Sequence, residues 1–534
     1  MDTTPYENRK PKTERIKMEK RLLIAVVLSI LVMLVYPLFM AKINPPPIET
    51  ELITQTLEKQ EFVEIEPVEA EQEIIASGSF ENEKYALDLS DVGGSIQKIR
   101  IKDGKRLDID LVEKAFYQAG VLSIEGKGAL QGLSSQQFEI KRDTNSLYAE
   151  KDGLAIEKQV RFLKDQYALN AYIKITNNSS STQNLSFELT TASNISDKEA
   201  WESRYIGVDV LYKDGKVARI AKANSKNYNK LYQTNIEWLA LRNKYYSIIA
   251  RPDFIPSGVF TNNIQGSPVV GFIVDERIVP GETKTYKLLF YMGPTEGIEL
   301  EKADKSFGKA LYFGKLTSII LVLLGVLKFF YGIFHNYGIA ILLLTCCISF
   351  LLFPLSFKSL KSMRKLQELQ PHIEKVRQEH KDNPQKLNKE IMEVYRRYKV
   401  NPMGGCFPMF LQMPIFIALY QTLMRSVELK GAHFLWIKDL SMPDAAFHLP
   451  FSLPFLGSAI NLLPILMIGA MIIQQKLSQG SASASQTDQQ KMMASIMPVM
   501  FGFIFYSLPA GLVLYWLTNT LLTSTLQFFA LRKS

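Results

Sequence analysis

The sequence has little cysteine and offers no disulfide framework. Only three cysteines occur in 534 residues, Cys346, Cys347 and Cys406, and each lies in or beside an apolar run. None falls in the long region after the first apolar run, which should be outside the cytoplasm, where disulfides form. The adjacent Cys346 and Cys347 point to different sides of a helix, so packing is favoured over metal binding.

The chain also lacks the motifs of common catalytic and cofactor sites. It has no phosphate-binding glycine loop, no GxSxG nucleophile elbow, no HExxH zinc pair and no selectivity-filter sequence. The segment HIEKVRQEH at 372–380 is interpreted as a hairpin surface and not as a metal site. We therefore expect no catalytic residue, metal, cofactor or enzymatic activity.

Charge is missing from the interiors of the five later apolar runs. Ion-coupled transporters usually place ionisable residues at membrane depth, although each costs about 2.5–3.5 kcal/mol on insertion scales. The absence of such residues counts against that class of protein.

Six apolar runs are predicted to cross a membrane, since about 20 apolar residues in a helix span a bilayer core. They cover residues 22–41, 337–357, 405–425, 455–475, 492–508 and 511–531. The first run is longer than the roughly 7–15-residue core of a cleaved signal peptide and ends FMAKINPPP, without a small-residue cut site. We interpret it as an uncleaved anchor.

Basic residues lie mostly beside these runs and predict the topology. The formal net charge is +9, and seven Lys or Arg lie between Arg9 and Arg21, just before the first run. The loop 358–403 holds twelve Lys or Arg against six Asp or Glu. By the positive-inside rule these segments are predicted to be cytoplasmic. Because the positive charge is explained by topology, nucleic-acid binding is the less favoured explanation for it. With these segments placed, loop 426–453 is predicted to lie outside the cytoplasm, and loop 476–491 and tail 532–534 are predicted to lie in it.

The region between the first two membrane runs predicts a linker and a large all-β domain. Residues 44–73 contain nine Glu and one Lys, so segment 42–73 is expected to be a disordered linker. From 74 to 298, alternating segments such as YALNAYIKIT are separated by GG, DG, NNSS and PG turns. This pattern is typical of one large β-sandwich or two fused ones.

The segment 299–335 decides the topology of everything after it. It combines a charged opening with a long apolar stretch that contains Lys328. If it spanned the membrane, the basic loop 358–403 would lie outside, against the positive-inside rule. We therefore predict a helix that lies in the outer membrane interface.

Loop 358–403 shows two arms with helical spacing, which predict a helical hairpin. Between the arms, KDNPQK supplies Asn383 as a helix cap and Pro384 at the first helical position. The alternative is a solvated basic connector.

Uncharged polar residues remain inside the predicted spans: Thr345, Ser349, Gln412, Gln421, Thr518, Asn519 and Gln527. Singly, each can bond to its own backbone or hold two helices together for about 0.6 kcal/mol. Prolines accompany them, at Pro354, Pro408, Pro414, Pro464 and Pro498. Taken together, these residues favour helices that enclose a wetted groove, because polar groups are tolerated at membrane depth where they line water.

Two stretches closely resemble the YidC membrane protein insertases. They are NPMGGCFPMFLQMPIFIALYQTLMRSVEL at 401–429 and LPAGLVLYWLTNTLLTSTLQ at 508–527. The likeness covers the chain from Asn336 to its end, and the preceding basic hairpin belongs to it. The anchor, the large external domain and YMGP at 291–294 are similar to the Gram-negative form of that family.

The resemblance implies an α-helical polytopic protein of the bacterial inner membrane, with an N-terminal anchor and a five-helix insertase core. It implies an inserted all-β periplasmic domain, a β-supersandwich similar to sugar mutarotases. It further implies a hydrophilic groove open to cytoplasm and lipid, through which integral membrane proteins are inserted, folded and assembled, with and without the Sec translocon. The hydrophobic segment of a substrate would leave along the second and last helices.

The partners implied by the resemblance are nascent membrane proteins, the Sec translocon and the lipid bilayer, with no direct binding of nucleic acid. Any ribosome contact would fall to the cytoplasmic hairpin, because the tail LRKS is too short to resemble the basic extension of some members.

Site residues are carried over position by position. Thr345 and Trp516 match the substrate-contact pair of the family, although Trp stands where the best-known members have Tyr. Ser349 stands where members typically have arginine, so the groove is expected to work by hydration and polarity or to borrow charge from its mouth. The predicted groove residues are Thr345, Ser349, Gln412, Gln421, Trp516 and Asn519, and the predicted mouth residues are Lys358, Lys361, Arg364 and Lys365.

Two other functions compete with this one. A lipid or small-solute transporter with a large external domain would normally carry charge at membrane depth. A periplasmic sugar-binding or sugar-modifying enzyme on a membrane tether would need a carboxylate or histidine constellation in 74–292, and none is seen.

Overall fold

The computed structural model describes most of the chain from Ser77 onward. The described residues are 77–102, 109–112, 120–195, 205–222, 229–231, 234–264, 267–311, 316–380, 383–398, 400, 407–453, 457–479 and 488–532. The predicted N-terminus 1–21, anchor 22–41 and linker 42–73 lie outside these residues.

The first part of the described chain is built from short strands. They are β1 Gly78–Glu81, β2 Tyr85–Ser90, β3 Ser95–Ile101, β4 Ile109–Val112, β5 Ile124–Gly126, β6 Glu139–Lys141, β7 Ser146–Lys151, β8 Leu154–Phe162, β9 Ala168–Asn177, β10 Gln183–Ser193, β11 Gly207–Tyr212, β12 Val217–Lys222, β13 Asn229–Leu231, β14 Ile236–Arg242, β15 Tyr246–Pro252, β16 Gly258–Ile264, β17 Ser267–Ile278 and β18 Thr283–Pro294. Strand β9 alternates buried and half-buried residues, as expected of a strand with one face on a core.

The strands form three sheets. One sheet has nine strands in the order β12-β11-β14-β15-β18-β9-β8-β7-β6, another has five in the order β13-β16-β17-β10-β5, and β1 to β4 form a third in sequence order. Neighbours such as β8 and β9 or β10 and β17 pair antiparallel. Residues from all three sheets share one hydrophobic cluster, so this region is a single layered β domain.

Lys158 occupies a core position of strand β8. Its neighbours at two-residue spacing, Leu154, Ile156 and Val160, are buried apolar residues, and Lys158 is equally buried. Its ammonium group donates to the carbonyl oxygens of Gly93 at 2.7 Å and Gly94 at 3.0 Å. Both glycines have positive φ, so the lysine fastens a left-handed turn onto the sheet. Burial lowers the pKa of Lys158 to about 7.

Helices follow the β domain. They are α1 Gly297–Ala303, α2 Thr317–Phe334, α3 Tyr337–Glu368, α4 Gln370–Glu379, α5 Pro384–Arg397, α6 Phe407–Arg425, α7 Leu462–Gln479, α8 Asp488–Phe505 and α9 Ala510–Arg532. A short hairpin of β19 Phe447–Leu453 and β20 Gly457–Ile460 lies between α6 and α7. A 3-10 helix, Lys305–Ala310, joins α1 to the segment before α2, and its Ser306 carbonyl accepts from the buried Trp238 indole at 3.1 Å.

The helices form a second hydrophobic cluster. Helix α9 packs on α7 and α3, α2 packs on α3 and α6, and α8 packs on α7. Within the described residues, two helical stretches are long and apolar enough to cross a membrane, Thr317–Phe334 and Tyr337–Ser359. A large β domain followed by apolar helices is the fold class that the sequence predicts.

Helix α3 runs further than the predicted span 337–357. It continues to Glu368, through the first part of the predicted hairpin segment 358–403. No proline or glycine occurs between Phe357 and Pro371, and Pro371 occupies the first turn of α4, where its missing N–H breaks no hydrogen bond. The next connection follows the prediction, because the Asn383 side chain accepts from the Lys386 backbone N–H at 3.1 Å and Pro384 begins α5.

Helix α7 begins later than the predicted span 455–475. Residues 457–460 instead pair with β19, and the helix starts at Leu462. The start is set by Asp444, whose carboxylate accepts from the backbone N–H groups of Leu462 at 2.7 Å and Leu463 at 3.0 Å. This cap lies 18 residues from Leu462 in the sequence. Local pattern therefore could not have located it.

Candidate functional site

The helical bundle is packed tightly at one end and loosely at the other. The tightly packed end is termed the β-proximal half. It comprises residues 337–348 of α3, 418–424 of α6 and 510–515 of α9. Contacts of the loop after α6 place this end beside the β domain, since the Lys430 ammonium lies 5.0 Å from the centroid of the Tyr245 ring. The remainder of the three helices is termed the β-distal half.

Burial differs sharply between the two halves. In the β-proximal half Ala340, Ile341 and Leu344 of α3 face Leu419 and Leu423 of α6 in one cluster of buried residues. The next turns of α3 expose Phe350 to 82% and Leu351 to 76%. Met413 and Ile417 on α6 and Leu521 on α9 are also exposed. Large apolar side chains of the three helices are therefore more exposed in the β-distal half, where the polar residues Ser359, Thr520, Ser524 and Gln527 are buried.

Two predicted groove residues meet at the boundary between the halves. The Ser349 hydroxyl on α3 donates to the Asn519 side-chain oxygen on α9 at 3.3 Å, and both residues are half-buried. These residues are 170 positions apart in the chain. The contact joins the second and last of the six predicted spans through uncharged groups.

A third predicted residue adds the α6 side to this polar contact. The Gln412 amide donates to the Tyr515 hydroxyl on α9 at 2.5 Å. Tyr515 and Asn519 are one helical turn apart, so they lie on one face of α9. Together Ser349, Asn519, Tyr515 and Gln412 form a polar seam that links α3, α9 and α6.

Tyr515 is the seam member that the sequence did not single out. It is fully buried, and it precedes Trp516, which was predicted. A buried tyrosine hydroxyl normally has a hydrogen-bond partner. In the sequence, the amide of Gln412 inside an apolar run indicated that such a partner was needed, but not which residue it was. The sequence gives no spacing that pairs two residues 103 positions apart.

Trp516 lies in an aromatic cluster and has no place in the polar seam itself. Its ring stacks on Phe501 with a centroid distance of 5.9 Å and lies 5.2 Å from Phe505, both on α8. It meets Phe416 of α6 edge to face at 5.0 Å. The indole is half-buried and flanks the seam on the side of α8.

Thr345 is placed inside the sealed half. It is completely buried, and its hydroxyl donates to the Ile341 carbonyl of its own helix at 2.6 Å. Other hydroxyls of the bundle bond in the same way to the carbonyl four residues earlier, namely those of Ser356, Thr422, Thr518, Thr523, Ser524 and Thr525. This satisfies their hydrogen bonding without a partner helix.

Gln421 is not brought to the seam. It lies nine residues after Gln412 on α6, which corresponds to about half a turn around the helix axis, so the two amides face opposite sides. Gln527, noted among the polar residues, is buried near the end of α9.

The four predicted mouth residues lie on the last turns of α3. Lys358, Lys361 and Lys365 are exposed, and Arg364 is half-buried. They begin nine residues after Ser349 along the same helix, beyond the exposed Phe350 and Phe353. The β-distal end is therefore the basic end of α3.

Helix α2 packs across the β-proximal end. Its buried residues Ile320, Leu323 and Leu327 join the cluster formed by α3 and α6. Lys328 pairs with Glu428, just after the end of α6, at 2.8 Å and with Glu296, just after the β domain, at 2.9 Å. The middle of α2 thus lies at the level where α6 ends.

No group of three or more His, Cys, Asp or Glu side chains that could hold a metal ion occurs among the described residues. Cys346 and Cys347 are both exposed on α3, so the packing role expected for them is wrong in this structure.

Comparison with known proteins covers almost the whole described chain. Residues 329–534 match the family described as 60Kd inner membrane protein, and residues 79–324 match the family described as YidC periplasmic domain. The chain is 32% identical to the membrane protein insertase YidC of Syntrophobacter fumaroxidans over 96% of this chain and 100% of that protein. It is 31% identical to the YidC of Geotalea daltonii over 96% of this chain and 99% of that protein. Both are named as insertases and not as enzymes.

Solved structures are similar at lower identity. A crystal structure of an active YidC insertase with its first transmembrane domain resolved matches with a TM-score of 0.38, 19% identity, and coverage of 84% of this chain and 94% of that one. A galactose mutarotase-like protein from Lactobacillus casei matches with a TM-score of 0.32 and 11% identity over 40% of this chain and 99% of that one.

Proposed function

The chain belongs to the YidC family of membrane protein insertases, and from that premise we propose that it inserts its substrates through the open, β-distal half of the helical bundle. The polar tail of a substrate enters this half from the cytoplasm. Its hydrophobic segment then leaves along α3 and α9 into the lipid. The sealed β-proximal half closes the path towards the periplasm.

The observation that carries this proposal is the change in packing along α3. Its apolar side chains Ile341 and Leu344 before Ser349 are buried in the bundle, whereas Phe350, Leu351, Phe353 and Phe357 after it are exposed. A bundle that only anchored the protein would gain from packing along its full length, because association of helices in lipid is driven by close contact. A groove open at one end accounts for the difference.

The orientation of the groove follows from the charges at its ends. The basic residues at the end of α3, Lys358 to Lys365, belong on the cytoplasmic side by the positive-inside rule. The opposite end carries Glu428, Asp439 and Asp444 and the β domain, which is then periplasmic. Helix α2 lies in the outer interface in this arrangement, because Lys328 pairs with Glu428 at the level where α6 ends.

The polar seam suits a promiscuous insertion path. Amides and hydroxyls exchange hydrogen bonds with any backbone, and they offset part of the several kcal/mol that each unsatisfied polar group costs in hydrocarbon. Ser349, Gln412 and Asn519 are uncharged, so they favour no particular sign of substrate charge. Ser349 replaces the family arginine, and any attraction of acidic tails falls to Lys358 and Lys361 at the mouth.

Two partners belong to the same proposal. The Sec translocon would act with the protein on some of its substrates, and the ribosome would meet the helical hairpin of α4 and α5. The hairpin offers exposed apolar and basic groups together, with Met392 and Tyr398 exposed and Arg396 and Arg397 in the last turn of α5.

The proposal is tested by thiol accessibility in inverted inner-membrane vesicles, with Cys346, Cys347 and Cys406 replaced by alanine. Single cysteines at Gln412 and Asn519 should react with a membrane-impermeant maleimide added from the cytoplasmic side. A cysteine at Leu419, in the sealed half of α6, is the matched control and should not react. If Gln412→Cys and Asn519→Cys are as unreactive as Leu419→Cys, no water-filled path reaches the seam and the proposal fails.

Photocrosslinking of a stalled nascent membrane protein is a second test of the same proposal. Probes at Ser349 and Trp516 should crosslink to the substrate, whereas a probe at Gln421 on the opposite side of α6 should crosslink less. Equal labelling at all three positions would indicate contact with the outer surface of the bundle and not with a groove.

A further inference from the structure

The loop between α6 and α7 contains a tight turn whose two central residues are both large and apolar. Phe434 and Ile437 exchange backbone hydrogen bonds of 2.9 Å in both directions, so Leu435 and Trp436 form the tip. Leu435 is 75% exposed and Trp436 is 38% exposed. Turns of this kind normally carry Asn-Gly or Asp-Gly.

Leucine is a poor residue for this position on local grounds. Its backbone has φ +52°, in the left-handed region, where a side chain with a β-carbon costs roughly 1–2 kcal/mol. Asparagine or glycine would avoid much of that cost. Neither the local conformation nor burial in the protein accounts for a leucine here.

The turn is fixed to the first turn of α3. The Phe434 ring lies so close to Gly338 that a β-carbon on that glycine would overlap it. Gly338 is the second residue of α3, one of the two helical stretches that are long and apolar enough to cross a membrane. The tip therefore lies at the level where this helix enters the bilayer.

Trp436 is held in a defined orientation while part of its ring stays exposed. Its indole N–H donates to the Asp444 carboxylate at 3.2 Å, and the same carboxylate caps α7. Tryptophan with its one polar atom satisfied and its ring exposed is typical of membrane–water interfaces.

A second apolar edge lies in the same loop. Phe447 and Phe451 on β19 are 62% and 59% exposed. The hairpin leads directly into α7, and the Asn461 side chain ties it to the end of α8 through the Tyr506 carbonyl at 2.6 Å. This edge is thus also fixed to the ends of apolar helices.

We propose that the Leu435–Trp436 turn, together with the β19 edge, inserts into the bilayer leaflet on the side of the β domain. The partner is lipid at the boundary between headgroups and acyl chains. Lipid is favoured over a protein partner because both apolar elements are fixed at the ends of apolar helices, the turn at the start of α3 and the hairpin at the start of α7, in a bundle that lipid surrounds. The anchor holds the ends of α3 and α7 at a fixed depth. It depends on the membrane location of α3 and is independent of the proposed groove.

The depth of the turn can be measured on the full chain with spin labels. The three native cysteines are replaced by alanine, and single cysteines are introduced at Leu435, at Phe350 as the lipid control and at Asp214 as the water control. Asp214 is an exposed residue in a turn of the β domain. The protein is reconstituted in vesicles of phosphatidylethanolamine and phosphatidylglycerol, and collisions with oxygen and with a water-soluble nickel chelate are compared.

The label at Leu435 is expected to collide with oxygen in preference to the chelate, with a ratio several times that at Asp214 and nearer to that at Phe350. A ratio equal to that at Asp214 would place the turn in water and overturn the proposal. Protection from both reagents would identify a protein partner and overturn it equally.

A stability measurement separates the anchor from a folding role. Leu435→Asn suits the left-handed backbone and should leave the melting temperature in detergent unchanged or raise it. In vesicles, a label at Trp436 in the Leu435→Asn background should become several times more accessible to the chelate. A lower melting temperature with unchanged accessibility would mean that Leu435 serves folding alone.

Discussion

The ammonium group of Lys328 lies 2.8 Å from a carboxylate oxygen of Glu428, and this ion pair joins the middle of α2 to the segment just after α6. Glu428 is buried, and Lys328 also reaches Glu296 at 2.9 Å, at the end of the β domain. One lysine therefore connects the β domain, the helix across the bundle end and the sealed half of α6.

Replacing Lys328 with methionine should destabilise the protein by about 1.5–3 kcal/mol, because the buried Glu428 carboxylate loses a charged hydrogen-bond partner and retains the uncharged Ser426 hydroxyl. The measurement is the unfolding of the full chain in one detergent. Lys302→Met is the matched control, since its pair with Glu299 is half exposed and should contribute no more than about 1 kcal/mol. The double variant Lys328→Met/Glu428→Gln should recover part of the loss, and no recovery would contradict an ionic role.

Lys158 should make the stability of the β domain depend on pH. Burial lowers its pKa to about 7 in the folded protein, against an ordinary value of 10.5 in the unfolded chain. Between these two values the unfolded chain binds more protons, so stability rises with pH, by at most about 1.4 kcal/mol per pH unit from this group. The contribution of Lys158 to the free energy of unfolding is therefore fully present above pH 10.5, and it is lost as the pH falls towards 7.

The test is the difference between the wild type and Lys158→Met from pH 7 to pH 10, measured by thermal unfolding of the full chain. Other groups titrate in both proteins and cancel in the difference. Parallel curves would show that Lys158 stays charged, held by the two glycine carbonyls and the Phe138 ring 4.5 Å away.

Asp444 should be needed for the start of α7. Asp444→Ala removes the acceptor for two backbone N–H groups and for the Trp436 indole, and loss of such a cap costs about 1–2 kcal/mol. Asp444→Asn keeps an acceptor oxygen and should retain most of the stability. The melting temperatures of the two variants are compared. If both variants lose the same stability, the negative charge of Asp444, and not its hydrogen bonds to the helix N-terminus, stabilises α7.

Within the seam, Gln412→Leu should lower the insertion of a protein with a long polar tail several-fold, because it removes an amide at the entrance of the proposed path. Thr345→Val should have little effect, since the Thr345 hydroxyl is bonded to its own helix in the sealed half. Insertion in a strain depleted of the native insertase measures both. The reverse order of effects would move the contact site towards the β-proximal half.

Ser349→Arg should change the selectivity for substrate charge. Wild type is expected to insert two substrates that differ only in a neutral or acidic tail to similar extents, because Ser349 and Asn519 carry no charge. The arginine variant should favour the acidic tail, and Ser349→Ala should favour neither. If Ser349→Arg greatly improves the insertion of both substrates, hydration and polarity alone do not explain insertion.

The sequence by itself determined the parts of this protein that depend on local pattern. Hydropathy located the apolar helices, alternation located the β domain, and Asn383 with Pro384 marked the start of α5, because each is decided by neighbours within a few residues. The likeness at 401–429 and 508–527 also identified the family before any contact was known.

Tertiary structure decided what depends on residues far apart in the chain. The seam between Ser349 and Asn519, the pairing of Gln412 with Tyr515 and the cap of α7 by Asp444 join positions that no local periodicity relates. The same holds for Thr345. A threonine at membrane depth predicts a polar contact, but its burial in the sealed half depends on how α3, α6 and α9 pack. Burial and long-range pairing are properties of the packed chain. Composition determines only which residues are able to form such contacts.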